Sequence, residues 1–497
     1  MPKSPVVFAF SIPALDPNSA SPLHKQLYEE LRQSILSGRL AAGTRLPSTR
    51  TIANELGVSR NTVLNAFAQL LAEGYLDSQV GDGTYVIDTL PEELLHTRTE
   101  NDRAARAVNT GRRLSKRGQV MAETSVHLFN HRGIPHAFRP GLPAFDEFPV
   151  ELWARLHARY WKHMPRELLT YGEAGGYPPL RQAIADYLSA ARGVRCTAEQ
   201  VIIVAGSQQA LDVATRILLD PGDAAWMEDP GYPGARATLQ AAGANVIPVP
   251  VAADGLDVAA GIQRCPSPRV IYLTPSHQNP LGVTMSLSRR LALLEHASRV
   301  GAWLLEDDYA SEYRYISRPV AALQGLDHDN RVIYIGTFSK VLLPSLRLGY
   351  LVVPPDLINA FTAAHAAANF HAPTLDQAVL ADFITEGHFA RHIRRMRVLY
   401  QQRQAALIEA AERELGGLLE VHEAECGLQL VGWLPEGVHD DMAVSAARRY
   451  GVESRALSFY SIEPPKRGGL LLGYAFVPEA EIAEGAKQLG KALRAMG

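Results

Sequence analysis

Cysteine is scarce and does not pair up: Cys196, Cys265 and Cys426 are the only three in 497 residues, far apart and with no Cys-x-x-Cys. That excludes a disulfide framework and a thiolate zinc site. His127, His131 and His136 have no ligand spacing, so no metal is expected. Long hydrophobic runs are missing too: none reaches the length of a bilayer span. The N-terminus, MPKSPVVFAFSIPALDPNS, has one lysine and an apolar patch broken by prolines, a poor export signal. Nor does one sign of charge dominate, because 49 Lys and Arg stand against 52 Asp and Glu, a net charge of −3. This argues against a wholly basic nucleic-acid coat and leaves room for one small DNA-binding module on a neutral body. With 47% hydrophobic residues over this length, about two to four domains are expected. The protein is expected to be cytoplasmic, with no membrane partner.

What is present begins with helical punctuation. Ser21 to Ser37 opens with Ser-Pro and places Leu23, Leu27, Leu31 and Ile35 on one face, ending at Gly38. Ser48 caps a second helix, Thr49 to Leu56, stopped by Gly57, and Ser59 caps a third, Arg60 to Glu73. Two short runs around Gly81-Asp-Gly83 read as a β-hairpin. Residues 21–88 are thus predicted to form a winged helix-turn-helix. Up to Asp88 there are seven basic and eight acidic residues, so positive potential must come from segregation of charge. The segment 89–125 lacks apolar periodicity and carries six basic residues and no acid between Arg103 and Gly118. It reads as a flexible basic linker, either a tether alone or a tether that also lies along DNA phosphates.

PLHKQLYEELRQSI, LPSTRTIANELGVSRNTV and EGYLDSQVGDGTYV resemble the GntR family of bacterial regulators. The resemblance implies a double-stranded DNA operator as partner and nucleoid association when bound. Arg60 to Glu73 becomes the recognition helix, with Ser59, Arg60, Asn61 and Thr62 at the major groove. Arg45 and Arg50 become phosphate or base contacts, and Gly83 with Thr84 the wing tip.

From about residue 126 the character changes. The run Arg331 to Ile335 reads as a buried strand, which puts Lys340 on the turn leaving it, with Thr337 and Ser339 before it and Arg347 seven residues on. A lone lysine in a polar loop is ordinarily a surface charge. Here its amine can form a Schiff base with an aldehyde cofactor, while the hydroxyls and Arg347 hold a phosphate. Glu306-Asp-Asp-Tyr309 ends another apolar strand and supplies an acid for a pyridinium nitrogen. Val201 to Val204 runs into a glycine turn and a helix start, where Ser207 and Gln208 are placed to cradle an anion.

This set resembles the pyridoxal 5'-phosphate (PLP) core of fold type I aminotransferases. On that resemblance Asp307 supports the ring nitrogen, Asn279 and Tyr309 meet the phenolic oxygen, and Tyr232, in EDPGYP, stacks on the ring. Asp308 reads as structural. Tyr171, in YGEAGGYPPLR, reaches the cofactor phosphate of a neighbouring subunit, implying a homodimer with shared sites, possible also in a domain-swapped form. The α/β aminotransferase-like domain is expected over 126–497, with a large part to about 353 and a small helix-and-sheet part over 354–497. Where the enzymes keep a carboxylate-binding arginine, this chain has Leu471, and Arg455 is the nearby substitute for effector binding.

The order of the two parts resembles the MocR/GabR-type subfamily of GntR regulators. That resemblance implies a PLP-dependent transcriptional regulator that senses an amino compound, or PLP itself, through an aldimine at Lys340. Two alternatives are a catalytic aminotransferase with a DNA-binding appendage and a cofactor-free repressor that uses the fold as scaffold.

Overall fold

A computed structural model describes residues 15–17, 19, 21–79, 83–87, 113–125, 136–315 and 320–496. The chain divides into two compact units, 1–113 and 114–497.

In the first unit, α1 (Leu23–Leu36) buries Leu27, Leu31 and Ile35 against Val63, Phe67 and Leu70 of α3 (Arg60–Ala72). α2 (Thr49–Leu56) starts where Ser48 Oγ accepts the Thr51 amide at 3.2 Å and ends on left-handed Gly57. Ser59 Oγ accepts the Thr62 amide at 3.1 Å at the start of α3. These caps are the ones the sequence specified. The strands β1 (Arg45–Leu46), β2 (Leu76–Gln79) and β3 (Gly83–Val86) form an antiparallel sheet in the order β1-β3-β2. The hairpin therefore carries a third strand, taken from the approach to α2. Gly81 and Asp82, at the expected wing turn, lie outside the described residues.

The second unit is built on an eight-stranded sheet. Its strands are β4 (Val201–Val204), β5 (Ala224–Asp229), β6 (Asn245–Ala252), β7 (Gly255–Leu256), β8 (Val270–Leu273), β9 (Trp303–Asp308), β10 (Val332–Thr337) and β11 (Gly349–Val352). They lie in the order β4-β11-β10-β9-β8-β5-β6-β7, and β10, β9, β8, β5 and β6 run parallel. Helices cover both faces, which is why β4, β8 and β10 are continuous apolar runs with no alternation. The carboxyl ends of the parallel strands, at Asp229, Leu273, Asp308 and Thr337, open on one edge, where sheets of this kind bind ligands.

A second sheet, antiparallel, joins β12 (Glu420–Val421), β13 (Gln429–Trp433), β15 (Gly469–Gly473) and β14 (Arg455–Ala456) in that order. The helices His388–Leu415 and Glu479–Arg494 pack together beside it. Single bridges, Phe138 to Gly473 and Arg314 to Cys426, tie it to the chain around the large sheet. Gly473 is required there: a Cβ would stand 2.2 Å from the Arg139 carbonyl oxygen.

Two expected boundaries shift. Residues 116–125, assigned to a flexible linker, form a helix lying against the helix Pro233–Ala242. The helices Ile358–Asn369 and Thr374–Thr385, assigned to the small part, lie against Ser207–Leu218, and against Val150–Lys162 and Pro178–Arg192 respectively. A turn at 354 ends β11 without ending the large body. Among the described residues no helix is long and apolar enough to cross a membrane.

Candidate functional site

A cavity of about 320 Å³ opens at the carboxyl edge of the large sheet. It gathers Ser207, Gln208, Tyr232, Asn279, Asp307, Tyr309, Thr337, Ser339, Lys340, Arg347 and Arg455, residues drawn from seven separate stretches. Lys340 lies just past β10, and its Nζ donates to the Gly141 carbonyl at 2.8 Å. Burial lowers its pKa, opposed by the charge of Asp307. A primary amine held this way is closer to its nucleophilic neutral form than a solvated lysine.

Asp307 sits at the end of β9 and is buried. Tyr272 donates its hydroxyl to Oδ2 at 2.9 Å, while Oδ1 has no protein partner. Burial, helped by the neighbouring Asp308 charge, pushes its pKa up to about 7. A buried carboxylate with one bare oxygen is costly, and a protonated ring nitrogen is the kind of group that would offset the cost. Asn279 Oδ1 and the Tyr309 hydroxyl are likewise buried without partners. Three orphaned polar groups around one small cavity fit a heteroaromatic ligand with a basic nitrogen and a phenolic oxygen.

Asp308 faces the other way, as alternation along a strand requires. Its Oδ2 takes the Arg192 Nη2 at 2.7 Å and the Tyr334 hydroxyl at 2.7 Å. These contacts hold Asp308 in the core, while Asp307 lines the cavity.

The anion end is equally specific. Gly206 (φ 90°) precedes the helix Ser207–Leu218, whose N-terminus favours negative charge. Arg347, itself left-handed (φ 50°), donates to the Ala205 carbonyl at 2.6 Å. A Cβ on Gly206 would come within 3.5 Å of that guanidinium. The Ser339 amide donates to Thr337 Oγ1 at 3.2 Å, fixing the turn that presents both hydroxyls. Tyr232 donates to Gln208 Oε1 at 3.2 Å, and Gln208 Nε2 donates to Thr238 Oγ1 at 2.6 Å.

Tyr171 is absent from this cavity. It is 81% exposed, edge-on to Phe370 with ring centroids 5.1 Å apart. Leu471 is fully buried and does not line the site; its neighbours across the sheet are Val431 and Arg455. Arg455 does line it, with its guanidinium over the Phe459 ring at 4.6 Å.

Sequence reading missed Tyr272, His277, Gln429, Phe459 and Tyr460, all of which line the cavity. His277 stands two residues before Asn279, which the sequence did single out. Burial lowers its pKa to about 4, and its Nδ1 lies 3.0 Å from Cys426 Sγ. Phe459 and Tyr460 come from the 3₁₀ turn Leu457–Tyr460, whose proximity arises from long-range folding.

On the first unit, Arg45, Arg50, Ser59, Arg60 and Asn61 are exposed and Thr62 is half-buried. Ser59 and Thr62 turn their hydroxyls on each other at 2.9 Å, which assigns both to the helix cap. Arg60 Nε reaches Thr49 Oγ1 at 3.5 Å, linking α3 to the start of α2. The Arg45 side chain lies across Gly83, where a Cβ would come within 2.8 Å of its Nε. Thr84 pairs with Leu46 on the same strand pair.

Comparison with known proteins gives the same two parts. Residues 23–86 match the bacterial regulatory proteins of the gntR family, and residues 141–447 match aminotransferase class I and II. Over the full length the chain is similar to the probable rhizopine catabolism regulatory protein MocR of Rhizobium meliloti, 45% identical across 97% of this chain and 96% of that one. The chain is similar in structure to a Pyrococcus horikoshii kynurenine aminotransferase solved with PMP (TM-score 0.69, 27% identity, 80% of this chain and 99% of that one). It is also similar to the Thermus thermophilus α-aminoadipate aminotransferase LysN (TM-score 0.68, 29% identity, 79% and 98%), solved with a phosphopyridoxyl-leucine adduct.

Proposed function

This chain belongs to the MocR-type transcriptional regulators, a gntR-family winged helix followed by an aminotransferase-like domain, and from that membership we propose that it is a PLP-dependent regulator sensing an amino compound, or PLP itself, at Lys340. One observation carries the reading: Lys340 and the unpartnered Asp307 Oδ1 share a cavity with an anion cradle in a chain that also carries a DNA-binding module.

When bound, PLP supplies an electrophilic carbon that amines attack and a ring that withdraws electrons. The chain supplies the rest. Ser207, Ser339, Arg347 and the helix N-terminus hold the phosphate, and Asp307 keeps a proton at the ring nitrogen. Asn279 and Tyr309 meet the phenolic oxygen, and Tyr232 covers a ring face. Lys340 Nζ is the attachment point and the site where a proton is accepted or released. Arg455 offers a guanidinium to an anionic group of the effector. An effector changes operator binding only to the extent that it binds the two states of the protein with different affinity.

We further propose a homodimer. Tyr171 and Phe370 are large, exposed and apolar, and a second copy would cover them while bringing Tyr171 to its own cavity.

The test is attachment. Borohydride reduction of the purified protein followed by peptide mapping should place one adduct on Lys340, and Lys340→Ala should show none while staying folded. An adduct on that variant would exclude the assignment. Catalytic turnover is the competing reading, and Leu471 argues against it: without an arginine on β15, a substrate has one anchor fewer to orient its reacting bond, worth several kcal/mol in a rate. Steady keto-acid production on the order of 10 per second with any common amino acid would reverse that conclusion.

A further inference from the structure

A second cavity, of about 400 Å³, lies beyond Arg455. It shares Arg455 and Phe459 with the cavity around Lys340, so those two residues form a common wall. Its lining also includes Arg448 and Asp441, at the two ends of the helix Asp440–Arg449, together with Glu453 and Ser454.

The polar groups of this chamber are unequally committed. Glu453 is engaged by Arg139 through two bonds of 2.6 and 2.7 Å and by the His136 amide at 2.9 Å. Asp441 Oδ1 accepts the Met442 amide at 2.8 Å. Arg448 makes no ion pair among the described residues, so its charge is available to a ligand. Ser454 is only 8% exposed, yet its Oγ has no partner. A buried hydroxyl left unpaired is costly, and nothing among the described residues answers it. Arg448 and Arg139 are close enough for their charges to oppose that of Arg455, with Glu453 acting the other way, so three guanidiniums stand against the carboxylates of Glu453 and Asp441 around one small space. Such a space favours an anion that also accepts from a hydroxyl.

We propose that this chamber receives the far end of the effector, which is therefore an amino compound carrying a terminal carboxylate several bonds from its amine. The amine sits at Lys340, the chain passes beside Arg455, and the carboxylate lies with Arg448 and Ser454. An α-amino acid fills the first cavity and leaves the second one empty. The inference rests on the amine-sensing reading above, and its test separates the two.

Full-length, cofactor-loaded protein is titrated with glycine, 5-aminopentanoate and 6-aminohexanoate, following the cofactor's absorbance, and with adipate, which has no amine, by calorimetry. Arg448→Gln and Ser454→Ala are treated in the same way; Arg448 is exposed, so its replacement leaves the core intact. Affinity should rise from glycine to the longer compounds. Arg448→Gln should lower affinity for the longer compounds and for adipate by about tenfold, the loss of one charge-assisted contact, and leave glycine unchanged. Ser454→Ala should act in the same direction. Absence of a length preference in the parent, or equal weakening of glycine and 6-aminohexanoate by Arg448→Gln, would overturn the assignment. If no amine alters the spectrum while adipate binds in an Arg448-dependent way, the chamber stands and the amine-sensing reading falls. If adipate does not bind either, both fall.

Discussion

Asp307 and Asp308 are adjacent, chemically identical and both buried, yet they have opposite partners, and that contrast makes a test. Asp307→Asn keeps the shape but removes the counter-charge to a ring nitrogen. It should weaken PLP binding by about tenfold or more, the value of a charged hydrogen bond, as read by titrating cofactor-stripped protein. Asp308→Asn instead leaves the Arg192 guanidinium buried without its anion. It should cost about 3 to 5 kcal/mol of stability in urea unfolding, and its effect on cofactor affinity should be much smaller than that of Asp307→Asn. If the two variants exchange phenotypes, the assignment of faces on β9 is wrong. His277 shows the limit of reading residues one at a time: two positions from Asn279, it carries no signal of its own, because nothing in PSHQNPLG reveals that Gly427 clears space for its ring, where a Cβ would stand 2.3 Å from Nε2.

Elements were legible where one physical cause dominated. Ser48, Gly57 and Ser59 punctuate α2 and α3 because caps satisfy orphaned helix ends, and β4 matches the predicted run to the residue. β1 was not legible, since two residues carry no periodicity, and neither was the cavity wall at Phe459, which a 3₁₀ turn delivers from over a hundred residues downstream of Lys340. The same reasoning sets the DNA predictions. Ser59→Ala should cost about 1 kcal/mol in stability of the winged unit and lower operator affinity indirectly. Arg60→Ala should lower operator affinity by about 1 to 3 kcal/mol if it reads a base, with little change on unrelated DNA. Arg50→Ala should weaken both DNAs alike and flatten the salt dependence, as loss of a phosphate contact does. Fluorescence anisotropy against cognate and scrambled duplexes over a salt series distinguishes these outcomes; two variants that bind like the parent would remove α3 from the groove.

Across the whole molecule, buried acids set the response to pH. Burial pushes Glu228, Glu306 and Asp307 up to about 7, above the ordinary unfolded range near 4. A group whose folded pKa is raised contributes stability that is present at low pH and is lost as pH rises through the folded value. His277 and His392, held down to about 4, act in the opposite sense, but only below their unfolded value near 6.5. Above that point the histidine effect fades and the raised acids dominate. Thermal midpoints of cofactor-stripped protein should fall between about pH 6.5 and 8, and Asp307→Asn should make the fall shallower; a midpoint that rises over this range would contradict the burial of these groups.

The bare oxygen of Asp307 has one more consequence, which concerns how long the protein lasts. A ligand that binds only the folded chain adds about 1.4 kcal/mol for each tenfold of free concentration above its dissociation constant. Scarcity of cofactor then enlarges the unfolded fraction available to proteases. The amount of regulator in the cell would itself rise and fall with PLP supply, a slow record of vitamin status kept in protein abundance, before any effector or operator is engaged.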